Sequence, residues 1–190
     1  MKGLRVILAS QSPRRRELLR ELFENFEIRV AEVDEVLDRG ITPERGVEIL
    51  AVRKGAAVSC DEPDALVISS DTLVELDGIP LGKPQDREHA YKMLSSLSGK
   101  THRVHTGVAV HFGGRVISGV ATTSVSFREM SAEEIYAYID GGEPMDKAGA
   151  YGIQGEGGKF VKEIHGDFDT VVGLSMRLLD ELCKKVLAEA

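Results

Sequence analysis

Short apolar runs alternate along the chain with longer stretches of three- and four-residue hydrophobic spacing, and turn-forming residues mark most junctions. Leu4–Ala9 reads as a buried strand. Ser12-Pro13 then opens a helix, because a serine oxygen accepts from first-turn amides and proline suits the first helical position. Leu18, Leu19, Leu22 and Phe23 fall at the spacing of its buried stripe. Thr42-Pro43 repeats the opening signal for a helix reaching Ser59. Ala65–Ser70 is a second apolar strand, ending at Asp71, and Thr72–Leu76 carries it into an Asp77-Gly78 hairpin turn.

Asp86 caps a helix with Ala90, Met93, Leu94 and Leu97 on its apolar side and Gly99 as its stop. Two strands between Val104 and Phe127 flank a Gly113-Gly114 turn. Ser131 and Glu134 form a capping box for a helix ending at Gly141, and a glycine-rich stretch runs to Gly158. Lys159–Ile164 and Phe168–Val172 read as a third hairpin around Gly166, and a last helix starts near Leu174. The pattern predicts an α/β protein with a mixed, twisted sheet and flanking helices. With no repeat or linker-like segment, residues 1–190 read as a single domain.

Composition narrows the class. A chain of 190 residues, 42% hydrophobic and 29% charged, is that of a globular protein able to bury a core. No apolar run approaches the roughly 20 residues that span a bilayer, so no membrane association and a cytoplasmic location are expected. Cys60 and Cys183 lack the spacing of a zinc site or a disulfide framework. A net charge of −7 argues against nucleic acid as partner. On that acidic body the run Arg14-Arg15-Arg16 is a local positive island suited to a small polyanion.

Four places carry candidate chemistry. Ser10-Gln11-Ser12-Pro13-Arg14-Arg15 lies where a strand feeds a helix, and helix N-termini bind anions. Arginines there oppose the helix dipole, a cost easier to understand if an anion binds; a solvated charged turn is the plainer alternative. Asp71 ends an apolar strand, where a carboxylate can hold a divalent metal, orient a water molecule or merely cap the next turn. Lys54 falls on the apolar side of its helix, so its ammonium either snorkels to water or points into a cleft. Asp34-Glu35 offers a second pair of carboxylates, for a metal bridging phosphates or as an acidic turn. Gly152–Lys159 lacks the Gly-Lys-Ser/Thr ending of a phosphate-binding loop, and His102, His105 and His111 cannot all face one way on a strand. These histidines read as structural or surface residues.

Several strings together resemble the Maf family of nucleoside triphosphate pyrophosphatases. They are Leu8-Ala9-Ser10-Gln11-Ser12-Pro13-Arg14-Arg15, Ser69-Ser70-Asp71-Thr72, Lys83-Pro84, Ser98-Gly99, His102 and Thr106-Gly107-Val108. The most specific is Gly142-Glu143-Pro144-Met145-Asp146-Lys147-Ala148-Gly149-Ala150-Tyr151-Gly152-Ile153-Gln154-Gly155. The resemblance implies two lobes around a cleft, similar to inosine triphosphate pyrophosphatases. It also implies a divalent cation (magnesium or manganese), a nucleoside triphosphate substrate and a homodimer.

Position by position, Asp71 matches the family's catalytic acidic residue, described as the proton acceptor, and Asp34 its second acidic position. Ser10, Arg14, Arg15, Lys54 and Lys83 match phosphate-contacting positions. Arg14, Thr72 and Gln154 match positions linked to preference for dTTP and UTP. The activity implied is hydrolysis to the monophosphate and pyrophosphate. A broader house-cleaning pyrophosphatase for modified nucleotides and a nucleotide-binding regulator of cell division are the alternatives. Gly55 and Ser175 depart from the family pattern, where a helix former and a proline are more usual.

Overall fold

The computed structural model describes residues 4–188, so the outermost residues of the expected 1–190 domain lie outside it. Its centre is a seven-stranded mixed sheet. The strands are β1 (Val6–Leu8), β2 (Glu27–Ile28), β3 (Leu66–Leu76), β4 (Ile79–Leu81), β5 (Thr101–Phe112), β6 (Arg115–Phe127) and β7 (Val161–His165). Their order is β2-β1-β3-β5-β6-β7, with β4 pairing β3. β1 runs parallel to both β2 and β3, whereas β4 is antiparallel to β3 and β7 to β6. The helices are α1 (Pro13–Leu19), α2 (Pro43–Ser59), α3 (Arg87–Leu97), α4 (Ala132–Asp140), α5 (Phe168–Val172) and α6 (Met176–Ala188). Among the described residues, no helix is long and apolar enough to cross a membrane.

The capping signals set the helix starts. Ser12, Thr42 and Asp86 each accept from an amide three residues on, and Ser131 with Glu134 completes the expected capping box. Ser175 does the same for α6, its Oγ accepting from the Leu178 amide at 3.4 Å, so the absent proline is replaced by a side-chain cap. The first hairpin turn has Asp77 and Gly78 both at positive φ, as a two-residue connection between twisted strands requires.

The chain divides into two compact units. Among the described residues, the first comprises residues up to 71, 106–121 and those from 173 on; the second comprises residues 72–105 and 122–172. In the first unit the sheet is buried on both faces. Ile7, Ala9 and Val67 meet Val58 of α2, while Val6, Leu8, Leu66 and Ile68 pack with Leu19, Phe23, Leu179 and Leu182. That two-sided burial is why these parallel strands are apolar at every position rather than at alternate ones. In the second unit Leu94 and Leu97 of α3 and Ile135 and Ile139 of α4 join Phe127, Tyr151 and Phe160 in one core.

Two expectations need correction. The α1 stripe continues past the helix: α1 stops at Leu19, yet Phe23 still reaches the same core from the following turn. The third hairpin does not form. Val161–His165 pairs with β6 instead, and Phe168–Val172 is a short helix. A short apolar run fits helix or strand equally well, and the Thr123 hydroxyl, donating to the Asp167 carbonyl at 2.9 Å, fixes the chain where α5 begins.

Candidate active site

The first group of polar residues is assembled where β1 feeds α1. Ser10 is buried, and its Oγ accepts from the Ser12 amide at 3.2 Å and from Arg15 Nη1 at 3.3 Å. Arg15 also donates Nε–H to the Gly173 carbonyl at 2.8 Å. The Ser70 hydroxyl donates to that same carbonyl at 2.9 Å. One backbone oxygen therefore ties the guanidinium of α1 to the residue immediately before Asp71. Burial lowers the proton affinity of Arg15, the Asp71 carboxylate acts in the opposite sense, and Arg14 adds to the lowering. Arg15 thus shares its local field with Arg14 and Asp71.

The second group forms on α2 and β3. Lys54 Nζ donates to Asp71 Oδ1 at 2.6 Å and stands 2.7 Å from Glu35 Oε1. The seating of α2 makes this possible. Gly107 of β5 lies so close beneath the helix that a β-carbon there would strike the Val47 carbonyl, which no side chain can avoid. Lys54 follows Val47 by seven residues, about two helical turns, so it faces the same side. Its ammonium is directed to the two carboxylates and not to open water, which resolves the alternative between snorkelling and an inward-pointing lysine.

Lys54, Asp71 and Glu35 meet directly, and Arg15, with Arg14 beside it, lies within the field of both carboxylates. Cations in that density suit phosphate oxygens, and a carboxylate among them can take up a proton or hold a metal. The comparisons with known proteins agree with that chemistry. Residues 5–186 match the family described as Maf-like protein. The chain belongs to the Maf family.

It is 50% identical to the dTTP/UTP pyrophosphatase of Bacillus velezensis, over 93% of this chain and 96% of that one. It is 48% identical to the dTTP/UTP pyrophosphatase of Moorella thermoacetica, over 94% of this chain and 93% of the relative. The Ham1 protein of Staphylococcus aureus, 16% identical, covers 98% of this chain with all of its own length at a TM-score of 0.54, a likeness of fold.

Of the positions matched to the Maf pattern, Ser10, Arg14, Arg15, Lys54 and Asp71 are all in the first unit. Asp34 shares that unit but does not meet Lys54. It is exposed, and its Oδ1 accepts from the Val36 amide at 2.8 Å, so the carboxylate folds back onto its own turn. The acid that meets Lys54 is Glu35. Arg53 holds this turn by donating to the Asp34 and Val36 carbonyls at 3.1 and 2.7 Å. This long-range anchor holds the turn that carries both neighbouring acids.

Thr72, Lys83 and Gln154 belong to the second unit. Lys83 is exposed, and the backbone before it is fixed by the Gly149 amide donating to the Gly82 carbonyl at 3.0 Å. Gln154 is exposed on the glycine-rich loop. This unit also holds a buried charge network. Glu75 accepts from His105 Nε2 at 2.8 Å and from the Gly78 amide at 3.1 Å, with Arg103 at 3.1 Å. Burial pushes the Glu75 carboxyl up, but these partners outweigh it and keep the carboxyl below the ordinary glutamate value. All three candidate histidines are buried, as structural residues should be.

Proposed function

We propose that this Maf protein is a nucleoside triphosphate pyrophosphatase that converts dTTP and UTP to the monophosphate and pyrophosphate. The observation that carries the reading is the Lys54 ammonium, held by Asp71 and Glu35 in the same unit as the Arg15 guanidinium. The names of relatives about half identical over nearly the whole chain support the same substrates.

In this reading Arg14, Arg15 and Lys54 hold the triphosphate and offset its charge. Lys54 exchanges part of its carboxylate pairing for phosphate oxygens as substrate enters. Asp71 orients a water molecule and accepts its proton as the water oxygen bonds to the α-phosphorus. The bond from that phosphorus to the β-bridging oxygen breaks, and pyrophosphate leaves. A carboxylate is a weak base, so positioning and charge stabilisation provide most of the rate. Ser10 orients Arg15, while Lys83, Thr72 and Gln154 keep the substrate-contacting roles that family membership implies for them. Gln154 accepts from the ring N3–H of uracil or thymine and donates to O4.

The residues fit a magnesium or manganese ion. Asp71 and Glu35 both reach Lys54 Nζ and so supply hard oxygen donors in one place. Among the described residues no three His, Cys, Asp or Glu side chains form a ready-made ligand set, so phosphate oxygens and water would complete the coordination. When bound, the ion would neutralise charge developing on the phosphates. A cytoplasmic homodimer completes the reading, and sedimentation of the pure protein tests the dimer.

Incubating the pure protein with dTTP, UTP, CTP, GTP and ATP separately, with magnesium and then manganese, tests the function. Monophosphate and pyrophosphate should appear fastest from the first two. Release of orthophosphate and a diphosphate would overturn the assignment.

A further inference from the structure

The loop carrying Gln154 is built around a carboxylate from its own chain. Glu143 Oε2 accepts from the Glu156 amide at 2.9 Å. Its Oε1 accepts from the Tyr138 hydroxyl at 2.9 Å and from the Gly157 amide at 3.3 Å. The Tyr138 oxygen in turn accepts from the buried Gly152 amide at 3.1 Å. Between these anchors the Gly155 amide closes a turn onto the Gly152 carbonyl at 3.3 Å, and Gln154 lies inside that turn. The turn is therefore pinned at its entrance by the phenol and at its exit by the carboxylate.

The glycines record the space these two side chains occupy. A β-carbon on residue 155 would lie 2.5 Å from Glu143 Oε2, and one on residue 157 would lie 2.6 Å from the Tyr138 oxygen. Backbone amides arranged around an anion are the chemistry of a phosphate-binding loop, but here the anion is internal. Burial pushes the Glu143 carboxyl up, yet the Glu156 amide, the Tyr138 hydroxyl and the Gly157 amide outweigh it and hold the carboxyl below the ordinary glutamate value. Lys147 adds a further anchor, donating Nζ–H to the Glu143 carbonyl at 2.8 Å.

The Gln154 side chain is exposed and makes no hydrogen bond among the described residues. An amide free to rotate can offer either donor or acceptor to a base, so what a held backbone fixes is which base edge the amide can reach. We propose that Glu143 and Tyr138 are positioning residues for base selection, fixing the backbone of residues 152–157 so that Gln154 meets the nucleobase in one arrangement. This rests on the reading of Gln154 as the base-contacting residue. Neither Glu143 nor Tyr138 touches substrate in this account.

The test uses the full chain and three variants, Gln154→Ala, Glu143→Gln and Tyr138→Phe, with kcat and KM measured for UTP and GTP. Gln154→Ala should lower the preference for UTP over GTP. Glu143→Gln and Tyr138→Phe should lower it about tenfold, chiefly by raising KM for UTP while kcat stays within about threefold. Amide hydrogen exchange at Glu156 and Gly157 should quicken in Glu143→Gln. An unchanged preference in both positioning variants, with Gln154→Ala impaired, would overturn the positioning role alone. An unchanged preference in Gln154→Ala would remove the base-contacting role and the positioning role with it.

Discussion

The imidazole of His111 occupies the space that a β-carbon on residue 55 would need. A β-carbon there would clash with His111 Nε2 and lie 2.5 Å from both His111 Cδ2 and Ser69 Oγ. Gly55 is therefore not a weak point of α2 but the counterpart of a histidine beneath it.

Gly55→Ala should destabilise the protein by about 1–3 kcal/mol through overpacking, against the gain of up to about 1 kcal/mol that alanine brings to a helix interior. Adding His111→Val should recover only part of that loss, because Ser69 Oγ, held by the Ala51 carbonyl, still crowds the new β-carbon. Urea unfolding of the two single variants and the double variant measures the coupling; additive effects would show that the two sites do not share this space.

Glu35→Gln and Asp34→Asn separate two adjacent acids. Glu35 meets Lys54, whereas Asp34 is committed to the Val36 amide. Pyrophosphate release should fall by about tenfold or more in Glu35→Gln and change little in Asp34→Asn. The reverse order would return the second acidic role to Asp34.

Asp71→Asn should abolish turnover while leaving the unfolding midpoint close to that of the parent. Lys54→Met should lower kcat/KM by about a hundredfold, since it takes away the cation proposed to hold phosphate and leaves Asp71 and Glu35 without their shared ammonium. A Lys54→Met protein retaining most of its turnover would take the ammonium out of the mechanism.

His102 makes stability depend on pH. Its ring sits among Phe127 and Tyr151, with Nε2 2.8 Å from the Tyr151 hydroxyl, and burial pulls its pKa down from 6.5 to about 4. The unfolded chain thus binds a proton near pH 6.5 that the folded chain refuses until about pH 4. Stability should be unaffected by this group above pH 6.5, fall through the window between those values, and level off below it. The full loss is about 3 kcal/mol. Thermal unfolding across the window should show a shallower slope in His102→Gln, and equal slopes would contradict the assignment.

Local chemistry made much of this fold legible. Thr42-Pro43 set the start of α2, and Ser131 with Glu134 set the start of α4, because a cap is satisfied within four residues of itself. Ser10, Arg14 and Arg15 stand at a strand-to-helix junction that the sequence marks plainly, whereas Lys54 lies inside α2 and Asp71 lies within β3, which runs on past the expected end of the strand, so the family pattern singled those two out. Contacts across long stretches of chain were not legible. Phe168–Val172 has a composition that fits either class of element. Nothing within the Asp34-Glu35 pair tells which carboxylate turns to Lys54, because the turn that carries both is anchored from α2, by Arg53 on its backbone carbonyls. Glu143 was visible only as part of a motif. Its signal was the close spacing of glycines at 152, 155, 157 and 158, which marked an object inside the loop without naming it.

The contact of Val47 with Gly107 makes α2 a ruler as well as a scaffold. Inserting or deleting one residue between Val47 and Lys54 would rotate everything beyond it by about 100° around the helix axis. The ammonium would swing away from Asp71 while the apolar seat stayed filled. Length along this helix, more than the identity of most of its residues, sets where the positive charge is delivered.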